Sequence, residues 1–469
     1  MPAPLFRSAS LGGLLFSIAV CLMSPLSAAE PTWKAGIARA VITPTESIWL
    51  AGYGSRTKPS EGKLHDLWIR VLAVEDAGGH RGIVLSSDTL GISKPIYEEV
   101  VQRLGKSQGL ARAQIMLHAS HTHCGPVLKS ALYDIYPLDA EQLAKIEKYS
   151  AWLTDTIVET VSAALKDLQP ATLVRGQGAA EFAVNRRNNR EPDVPMLREQ
   201  GKLLGPVDHS VPVLAVKKPD GSLKAVVFMY ACHNTTLSFD RFCGDYAGFA
   251  QYALEERHPG ATAMFVLGCG ADQNPLPRRT VELAQNYGTQ LADAVDAVLK
   301  NPLQPVSPKL QTEIEMVDLA LGALPEKSKM EAMAASSPSY SQRWAARILK
   351  RQAEGPPLPT SYPYPVQAWR LGGEQLWIAL GGEVVVDYSL KFKGRYGEGA
   401  WVTGYANDVM AYIPSHRVLL EGGYEGQSSM MVYGLPAERW AADVEDRVTA
   451  GVERVVSRLE PSVGDRSKK

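Results

Sequence analysis

The chain has 469 residues, of which 45% are hydrophobic and 21% charged, and its 49 basic residues nearly balance its 50 acidic ones. This composition is typical of a globular protein with one large domain or two ordinary ones. A net charge of −1 gives no electrostatic reason to expect binding to nucleic acid or to an anionic membrane surface.

The first 29 residues have the pattern of a cleavable secretory signal peptide. Arg7 supplies a positive charge, 11–23 is an apolar run, and Ser27-Ala28-Ala29 is a small-residue cleavage site. The apolar run is too short for a membrane anchor, and we expect no transmembrane segment in the rest of the chain. We therefore expect cleavage near Ala29, a periplasmic or secreted protein, and a single domain over residues 30–469.

Beyond this segment, short apolar runs alternate with stretches of helical periodicity. The predicted strands are 35–42, 67–74, 82–88, 114–117, 171–184, 211–216, 224–233, 263–267, 305–317 and 375–380. The predicted helices are 95–104, 139–168, 244–256, 281–299, 325–354 and 444–459. Interleaved elements of these lengths predict an α/β fold, with mixed β-sheets surrounded by helices.

A helical insertion is expected near residues 325–366. The helical part is polar, and a proline-rich stretch at 356–366 follows it. A lid over a site and a helix pair on the surface both fit this pattern, and we favour the surface pair.

The most informative stretch is His118-Ala-Ser-His121-Thr-His123-Cys-Gly125-Pro126, which follows an apolar run. It predicts a buried strand that ends in a tight turn. Side chains two residues apart on a strand share a face, so we expect His121 and His123 to enter one pocket and His118 to point elsewhere. Paired imidazoles at a strand end indicate a zinc site, although histidines with only a structural role in the core remain an alternative.

Polar residues recur where predicted strands end, at His121, His123, His233, Asp272 and Glu383. In α/β folds the carboxyl ends of strands form the rim on which sites are built. We therefore expect the site at this rim. Asp88, at the end of another predicted strand, is a candidate acceptor for the second nitrogen of a ligand histidine.

The cysteines after the predicted signal peptide are Cys124, Cys232, Cys243 and Cys269. Export would permit disulfides, and four cysteines allow three complete pairings, between which the sequence does not decide. Cys124 and Cys232 each neighbour a histidine, and adjacent residues on a strand face opposite ways. We therefore expect these two thiols to lie away from the metal.

Five motifs follow one another in the order found in the neutral/alkaline (non-lysosomal) ceramidase family, whose N-terminal catalytic domain this chain resembles. The motifs are His121-Thr-His123-Cys-Gly125-Pro126, Asn185-Arg186, Ala231-Cys-His233 with Gly244-Asp245, Gly381-Gly-Glu383, and Tyr412-Ile-Pro-Ser with Tyr424-Glu425-Gly426. The resemblance extends over nearly the whole chain after the predicted signal peptide.

This resemblance implies a zinc site with His121, His233, Glu383 and Tyr412 as ligands. Two neutral imidazoles and a carboxylate form a usual catalytic zinc set, whereas a tyrosine ligand requires its pKa to fall on metal binding. The resemblance further implies that His123 and Tyr424 lie beside the ligands, where they shuttle a proton and donate to the tetrahedral oxyanion. Arg186 is expected to face the substrate or the developing charge, or else to lie on the surface.

One segment departs from the family pattern. Where the family carries Gly-Asp-Val-Ser-Pro-Asn, with a serine implicated in amide cleavage, this chain has Gly270-Ala-Asp272-Gln273-Asn-Pro275 and no serine. We consider Asp272 as a candidate base or as a residue that orients the attacking water, and Gln273 as a candidate hydrogen-bond donor. A structural turn with capping side chains is the alternative for both residues.

The resemblance thus implies a secreted zinc-dependent amidohydrolase that cleaves an N-acyl amide, such as a ceramide-like lipid, by a zinc-activated water. Because the family serine is replaced, a zinc hydrolase of a non-sphingolipid amide or ester is the alternative. A non-catalytic binding module is a third possibility, which the retained ligand positions disfavour. The expected partner is a small N-acyl or lipid-like molecule, and the sequence does not indicate the oligomeric state.

Overall fold

The computed structural model describes residues 1–5 and 32–459, so residues 6–29 of the predicted signal peptide and the last ten residues lie outside the part described. The chain divides after Pro31, and the unit that begins at Thr32 carries all the elements below. No helix in the described part is long and apolar enough to cross a membrane.

The predicted alternation of strands and helices is confirmed. The strands are β1 Trp33–Val41, β2 Trp68–Glu75, β3 Arg81–Ser87, β4 Ile115–Ala119, β5 Gln169–Ala179, β6 Ala183–Asn185, β7 Ser210–Lys217, β8 Leu223–Tyr230, β9 Thr262–Leu267, β10 Gln273–Pro275, β11 Gln304–Val306, β12 Leu310–Ala320, β13 Ser361–Leu371, β14 Gln375–Leu380, β15 Glu383–Val384, β16 Trp401–Thr403 and β17 Tyr412–Ile413. The helices are α1 Lys94–Gln108, α2 Ala140–Lys166, α3 Val194–Glu199, α4 Asp245–Arg257, α5 Val281–Lys300, α6 Lys327–Ala334, α7 Tyr340–Glu354, α8 Val386–Tyr396, α9 His416–Glu421, α10 Ser429–Val432 and α11 Val444–Leu459.

The larger sheet has the strand order β4-β3-β2-β1-β5-β7-β8-β9, with β11 beside β5. The pairs β3–β4 and β8–β9 are parallel, and the other pairs are antiparallel. Ser86 on β3 hydrogen-bonds to the carbonyl of Phe265 on β9. This contact between strands far apart in the sheet order brings the ends of β4 and β8 close together.

The smaller sheet, β12-β13-β14-β16, packs on one face of the larger one. The core between them contains large side chains from both sheets, among them Trp33, Met116, Trp369 and Trp377. Helices α1 and α2 cover one part of the other face, α4 and α5 cover another, and α11 covers the outer face of the smaller sheet. The mixed α/β architecture predicted from the sequence is therefore the observed one.

The segment at 325–366 differs in part from the prediction. Its first part forms α6 and α7, in agreement with the predicted helical periodicity, but residues from Ser361 belong to β13. Pro363 and Pro365 pair with β12 only, because the pairing of β13 with β14 begins at Val366. A proline has no N–H to donate, and it is tolerated where a strand has a free edge.

Candidate metal centre

His121 does not lie on a strand, contrary to the prediction, because β4 ends at Ala119. Its backbone is left-handed, with φ 57°, which is uncommon for a residue with a Cβ and often marks a functional position. This turn buries the imidazole, which is 1% exposed, and places Nδ1 2.6 Å from the carbonyl oxygen of Leu90. Nδ1 must therefore carry the proton, and the lone pair is on Nε2.

His233 reaches the same place from the end of β8. Its Nδ1 lies 3.1 Å from the carbonyl oxygen of Gly270, so its lone pair is also on Nε2. Asp245 holds the loop after His233, since its carboxylate accepts hydrogen bonds from the backbone N–H groups of Thr236 and Leu237. Burial lowers the pKa of His233 well below its ordinary value, which keeps the imidazole neutral.

Glu383 is the third group, and it follows β14 after a tight turn. Gly382 has φ 70°, and a Cβ at this position would lie 2.7 Å from the carbonyl oxygen of Ala411, so the turn requires glycine. The Glu383 carboxylate is buried, with Oε2 3.1 Å from His121 Nε2 and 3.3 Å from His233 Nε2.

These three donor atoms form a nearly equilateral triangle, because His121 Nε2 and His233 Nε2 are 3.0 Å apart. Two nitrogen lone pairs and a carboxylate oxygen repel one another at this separation unless a cation lies between them. Ligand atoms bonded to zinc at ~2.0 Å in a tetrahedral site lie about 3.3 Å apart. The chemistry and spacing of the three residues therefore fit a divalent metal ion.

His123 lies beside the triangle. Its Nε2 is 3.1 Å from His121 Nε2, and His121, His123 and His233 form a buried group that could hold a metal ion. Among the described residues, His123 makes no ion pair with Glu383, unlike the other two histidines. Burial and the neighbouring His121 lower the pKa of His123 well below its ordinary value.

Tyr412 is positioned by the short parallel ladder of β15 and β17, in which it lies opposite Glu383. Its ring is nearly parallel to that of His233, with ring centroids 6.4 Å apart. Its hydroxyl oxygen accepts a hydrogen bond of 3.1 Å from Arg186. Burial and the charge of Glu383 raise the pKa of Tyr412 well above 10, so without a metal ion it is a neutral phenol.

Arg186 is half-buried and connects three parts of the site. It donates to Glu425 at 2.7 Å, to Asn274 at 3.2 Å and to the hydroxyl of Tyr412. Burial opposes its charge, but Tyr412 and Glu425 outweigh that effect and hold the pKa of Arg186 well above its ordinary value. It therefore brings a permanent positive charge next to the donor triangle.

Tyr424 lies at the outer edge of the site. It begins a π-helical turn, Tyr424–Ser428, a local irregularity that is frequent at functional sites. Its ring meets the edge of the Tyr412 ring at a centroid distance of 5.2 Å, and the Arg186 guanidinium lies 5.8 Å from its centre. The side chain is partly open to solvent, with 42% exposure, and can contact an incoming molecule.

The sequence model of the neutral/alkaline non-lysosomal ceramidase family, N-terminal part, matches residues 33–309. The chain belongs to this family. A curated relative is the neutral ceramidase of Pseudomonas aeruginosa, which is 28% identical over 274 residues. That alignment spans 55% of this chain but only 39% of the relative.

Two solved structures show the same fold. A crystal structure of neutral ceramidase from Pseudomonas aeruginosa superposes with a TM-score of 0.71 at 19% identity, and covers 92% of this chain and 75% of that one. A second structure, a ceramidase complexed with C2, superposes with a TM-score of 0.69, also at 19% identity, and covers 92% of this chain and 77% of that one. The predicted family and fold class are therefore both confirmed.

The two residues that stand near the position of the family serine are engaged in structural contacts. Asp272 accepts hydrogen bonds from the backbone N–H of Val386 and from Asn185. The side-chain oxygen of Gln273 accepts from the backbone N–H of Asp208, and its nitrogen donates to the carbonyl of Ala231. Both side chains are buried, and burial raises the pKa of Asp272 to about 6. These contacts favour the alternative of a structural turn, and a catalytic role for either residue stays a prediction.

Other expectations about side chains near the site had mixed outcomes. His118 stacks on Trp377 and stays apart from the triangle, as predicted. The prediction for Asp88 was wrong: its carboxylate accepts from the backbone N–H of Trp68 and faces Arg70, while Leu90 supplies the acceptor for His121.

The described cysteines, Cys124, Cys232, Cys243 and Cys269, are free and buried. None of them belongs to the buried histidine group that could hold a metal ion. The expectation that Cys124 and Cys232 lie outside the ligand set therefore agrees with the described structure.

Two tyrosines of the site were missed from the sequence. Tyr433 donates a hydrogen bond to Glu383 Oε1, and the hydroxyl of Tyr405 lies 3.4 Å from His233 Nδ1 and 3.5 Å from Glu383 Oε2. Tyr405 has a left-handed backbone, with φ 55°. No local sequence pattern marks either residue, because each reaches Glu383 only through the tertiary fold.

Proposed function

We propose that this protein is a zinc-dependent amidohydrolase that cleaves an N-acyl amide bond to a carboxylate and an amine. The observation that carries the proposal is the triangle of His121 Nε2, His233 Nε2 and Glu383 Oε2, whose lone pairs face one another at 3.0–3.3 Å. Membership of the ceramidase family supports the amide as the bond attacked. Only part of the curated relative is aligned, so the activity is inferred for this chain and not carried over from the relative.

His121, His233 and Glu383 would hold the zinc, with Tyr412 as the fourth protein ligand. Tyr412 lies opposite Glu383 in the β15–β17 ladder, and residues opposite each other in a ladder point to the same face. When bound, zinc would supply Lewis-acid chemistry that acidifies a water and polarises a carbonyl. The carbonyls of Leu90 and Gly270 keep the two imidazoles in the tautomer that binds metal.

His123 is the candidate proton carrier. Its Nε2 faces the donor triangle, whereas its buried Nδ1 has no hydrogen-bond partner in the described structure. Because its pKa is lowered, the imidazole is neutral near pH 7 and can accept a proton at Nε2 from an attacking water. It can then deliver that proton to the leaving amine nitrogen. Arg56 keeps the backbone of His123 in place through a hydrogen bond of 2.7 Å to its carbonyl oxygen.

Tyr424 and Arg186 are the candidate groups for stabilising negative charge on the substrate. The phenol of Tyr424 lies at the open side of Tyr412 and can donate to the oxygen of a tetrahedral intermediate. Arg186 keeps its fixed positive charge beside both rings. Asp272 and Gln273 are assigned to the support of the turn between β9 and β10.

Ceramide-like lipids are the substrate class that the family name suggests. The alternative, a non-sphingolipid amide or ester, is supported by the polar, arginine-lined cavity beside the site. We also propose export through a signal peptide cleaved near Ala29. Protein purified from the periplasm or medium should begin near Glu30, whereas an uncleaved N-terminus would contradict export by this route.

Release of a primary amine tests the proposed activity directly. Wild-type protein supplied with zinc is incubated with long-chain N-acylsphingosine and with short soluble N-acyl amides, and the amine is measured with an amine-reactive fluorophore. We expect the wild type to release amine. The His121→Ala variant should do so at least ~10³-fold more slowly. The control is His258→Ala, which removes a partly exposed histidine that pairs with Asp296. Amine release by His121→Ala at the wild-type rate would refute the proposal.

A further inference from the structure

A polar cavity of about 520 Å³ borders the candidate metal centre through Arg186 and Tyr424, which line the cavity and contact Tyr412. Its charged lining consists of Arg186, Arg187, Arg190, Arg278, Glu191 and Glu425. Four arginines against two glutamates leave an excess of two positive charges in the lining. An opening of this kind favours anionic molecules over neutral ones.

Not all of these arginines are neutralised by protein partners. Arg186 and Arg187 both bind Glu425, and Arg187 also binds Glu421, so these two arginines are neutralised by carboxylates. Arg278, in contrast, uses only Nε, which lies 3.1 Å from Glu191. Its two terminal nitrogens have no partner in the described part of the chain. Glu191 is shared with Arg279, so one carboxylate balances two guanidinium groups at this edge.

Arg190 is the second arginine with unused donors. It is largely exposed, and its only ion pair among the described residues is a 3.9 Å contact with Asp193. Arginine presents a planar set of donors that matches a carboxylate or a phosphate with two parallel hydrogen bonds. Arg278 and Arg190 together therefore offer unused donors at the entrance to the site.

The entrance is directly connected to the reacting groups. Arg186 lines the cavity and donates to Tyr412, and Tyr424 lines it and contacts the ring of Tyr412. Arg278 lines the same cavity as Arg186 and Tyr424. A molecule held by Arg278 would therefore share this space with the two residues that contact Tyr412.

An apolar cavity beside the centre is much smaller. A cavity of about 20 Å³ is lined by residues that include Leu90, Leu132, Val409 and Tyr433. One water molecule needs about 10–15 Å³ measured in this way. This cavity can accept a methyl-sized group at most, and it provides no room for a long acyl chain.

We propose that the cavity binds an anionic group, a carboxylate or a phosphate, carried by the N-acyl amide substrate, with Arg278 as the principal contact and Arg190 as the second. This inference rests on the proposed function, since it names the substrate class of the same site. It distinguishes the substrate from a neutral ceramide. The anionic group would hold the amide at the opening, while Tyr424 and His123 act at the scissile bond.

Two pairs of substrates, each made of an anionic N-acyl amide and a neutral counterpart, test this proposal. One pair is N-acetylglycine and N-acetylglycinamide, which tests for a carboxylate. The other is N-acetylethanolamine and its O-phosphate, which tests for a phosphate. We expect kcat/KM for at least one anionic member to exceed that of its neutral partner about tenfold or more, and the preference to weaken as salt is raised. Equal kcat/KM values within both pairs would overturn the proposal.

Substitution of Arg278 tests whether this residue causes the preference for anionic substrates. Arg278→Gln should reduce the anionic-to-neutral ratio of kcat/KM about tenfold, chiefly through KM for the anionic substrate. The control is Arg458→Gln, on the surface helix α11, where the arginine pairs with Glu313 and Glu315; it should leave the ratio unchanged. If Arg278→Gln leaves the ratio unchanged as well, the assignment of the anion to Arg278 is wrong.

A binding experiment separates this proposal from the proposed function. N-acetylglycine and inorganic phosphate are titrated by calorimetry into the zinc-loaded wild type and into Arg278→Gln. Suppose that Arg278→Gln weakens binding about tenfold but the wild type releases no amine from any amide. This result would support the anion site and refute amide hydrolysis. Turnover of neutral amides, with no Arg278-dependent binding or preference, would support hydrolysis and refute the anion site.

Discussion

Glu383 and Tyr412 lie directly opposite each other in a parallel ladder of only two residue pairs, β15 with β17. The ladder brings together a carboxylate and a phenol that are 29 positions apart in the sequence. Gly382 forms the turn that makes this possible, and the carbonyl of Tyr412 is held by the indole N–H of Trp440. The ladder thus holds the Tyr412 ring beside the donor triangle.

The Tyr412→Phe variant tests whether this phenol is a metal ligand. Removal of the hydroxyl should leave the fold intact, because the ring keeps its packing against His233. We expect zinc affinity to fall at least 10–100-fold, the range for lost partners around a metal, as measured by zinc retained in competition with a chelator. The control, Tyr388→Phe, removes a buried hydroxyl that donates to the carbonyl of Pro414 and should retain zinc. Equal retention by both variants would exclude Tyr412 as a ligand.

Arg186→Lys tests the role of the fixed positive charge. Lysine keeps the charge but cannot donate to Glu425, Asn274 and Tyr412 at the same time. We expect kcat for amide hydrolysis to fall about 10²-fold, with a smaller change in KM. Arg187→Lys is the matched comparison, because Arg187 also pairs with Glu425 but has no described contact with Tyr412. A larger loss of kcat in Arg187→Lys than in Arg186→Lys would contradict the assignment.

Gln273→Ala tests whether the residue near the position of the family serine acts in support of the fold. The substitution leaves the N–H of Asp208 and the carbonyl of Ala231 buried without a hydrogen-bond partner. Each unsatisfied group destabilises the folded state by about 1–3 kcal/mol. We expect the free energy of unfolding in urea to fall by about 3–5 kcal/mol in total. The exposed Gln200→Ala variant should change it by less than ~0.5 kcal/mol. If Gln273→Ala unfolds like the wild type but loses all turnover, its role is catalytic.

Asp408 gives a test of stability against pH. Burial raises its pKa to about 7, although a hydrogen bond from Tyr362 and the charge of Lys94 oppose the shift. The folded protein therefore retains a proton that the unfolded chain, with a carboxyl pKa near 3.9, has already lost. Stability from this group is fully present below about pH 4 and is lost as pH rises to about 7.

The Asp408→Asn variant removes this titration while keeping an oxygen that can accept from Tyr362. Between about pH 4 and 7, the free energy of unfolding of the wild type should fall relative to the variant by up to about 1.4 kcal/mol per pH unit. Urea unfolding of both proteins at several pH values measures the difference. If the free energy of unfolding of the wild type minus that of the variant stays constant or rises with pH, Asp408 is ionised in the folded state.

The sequence was sufficient to place His121, His233 and Glu383 at one rim, because each follows an apolar run that forms a buried strand. It was also sufficient for most elements, since patterns such as the one over Val444–Leu459 depend only on local periodicity. The prediction that His121 and His123 lie on a strand was wrong. The left-handed turn at His121 arises from contacts with other parts of the chain.

The remaining features of the site depend on contacts between segments far apart in the chain. The acceptors that determine the histidine tautomers are the backbone carbonyls of Leu90 and Gly270. Every residue has such a carbonyl, so the sequence does not indicate which one is used. Asp88 was expected in this role, but the buried Arg70 faces its carboxylate instead. Tyr405 and Tyr433 approach Glu383 from separate loops, and this approach is specified by the whole fold.

Zinc stoichiometry coupled to activity tests the central claim most directly. The wild-type protein is stripped with a chelator, reloaded with zinc, and assayed for both bound metal and amine release from an N-acyl amide. We predict about one tightly bound zinc per chain, loss of turnover on stripping, and recovery in proportion to the zinc restored. Full turnover by the stripped protein, or tight zinc binding that survives the combined loss of His121 and His233, would contradict the assignment of these residues as a catalytic metal centre.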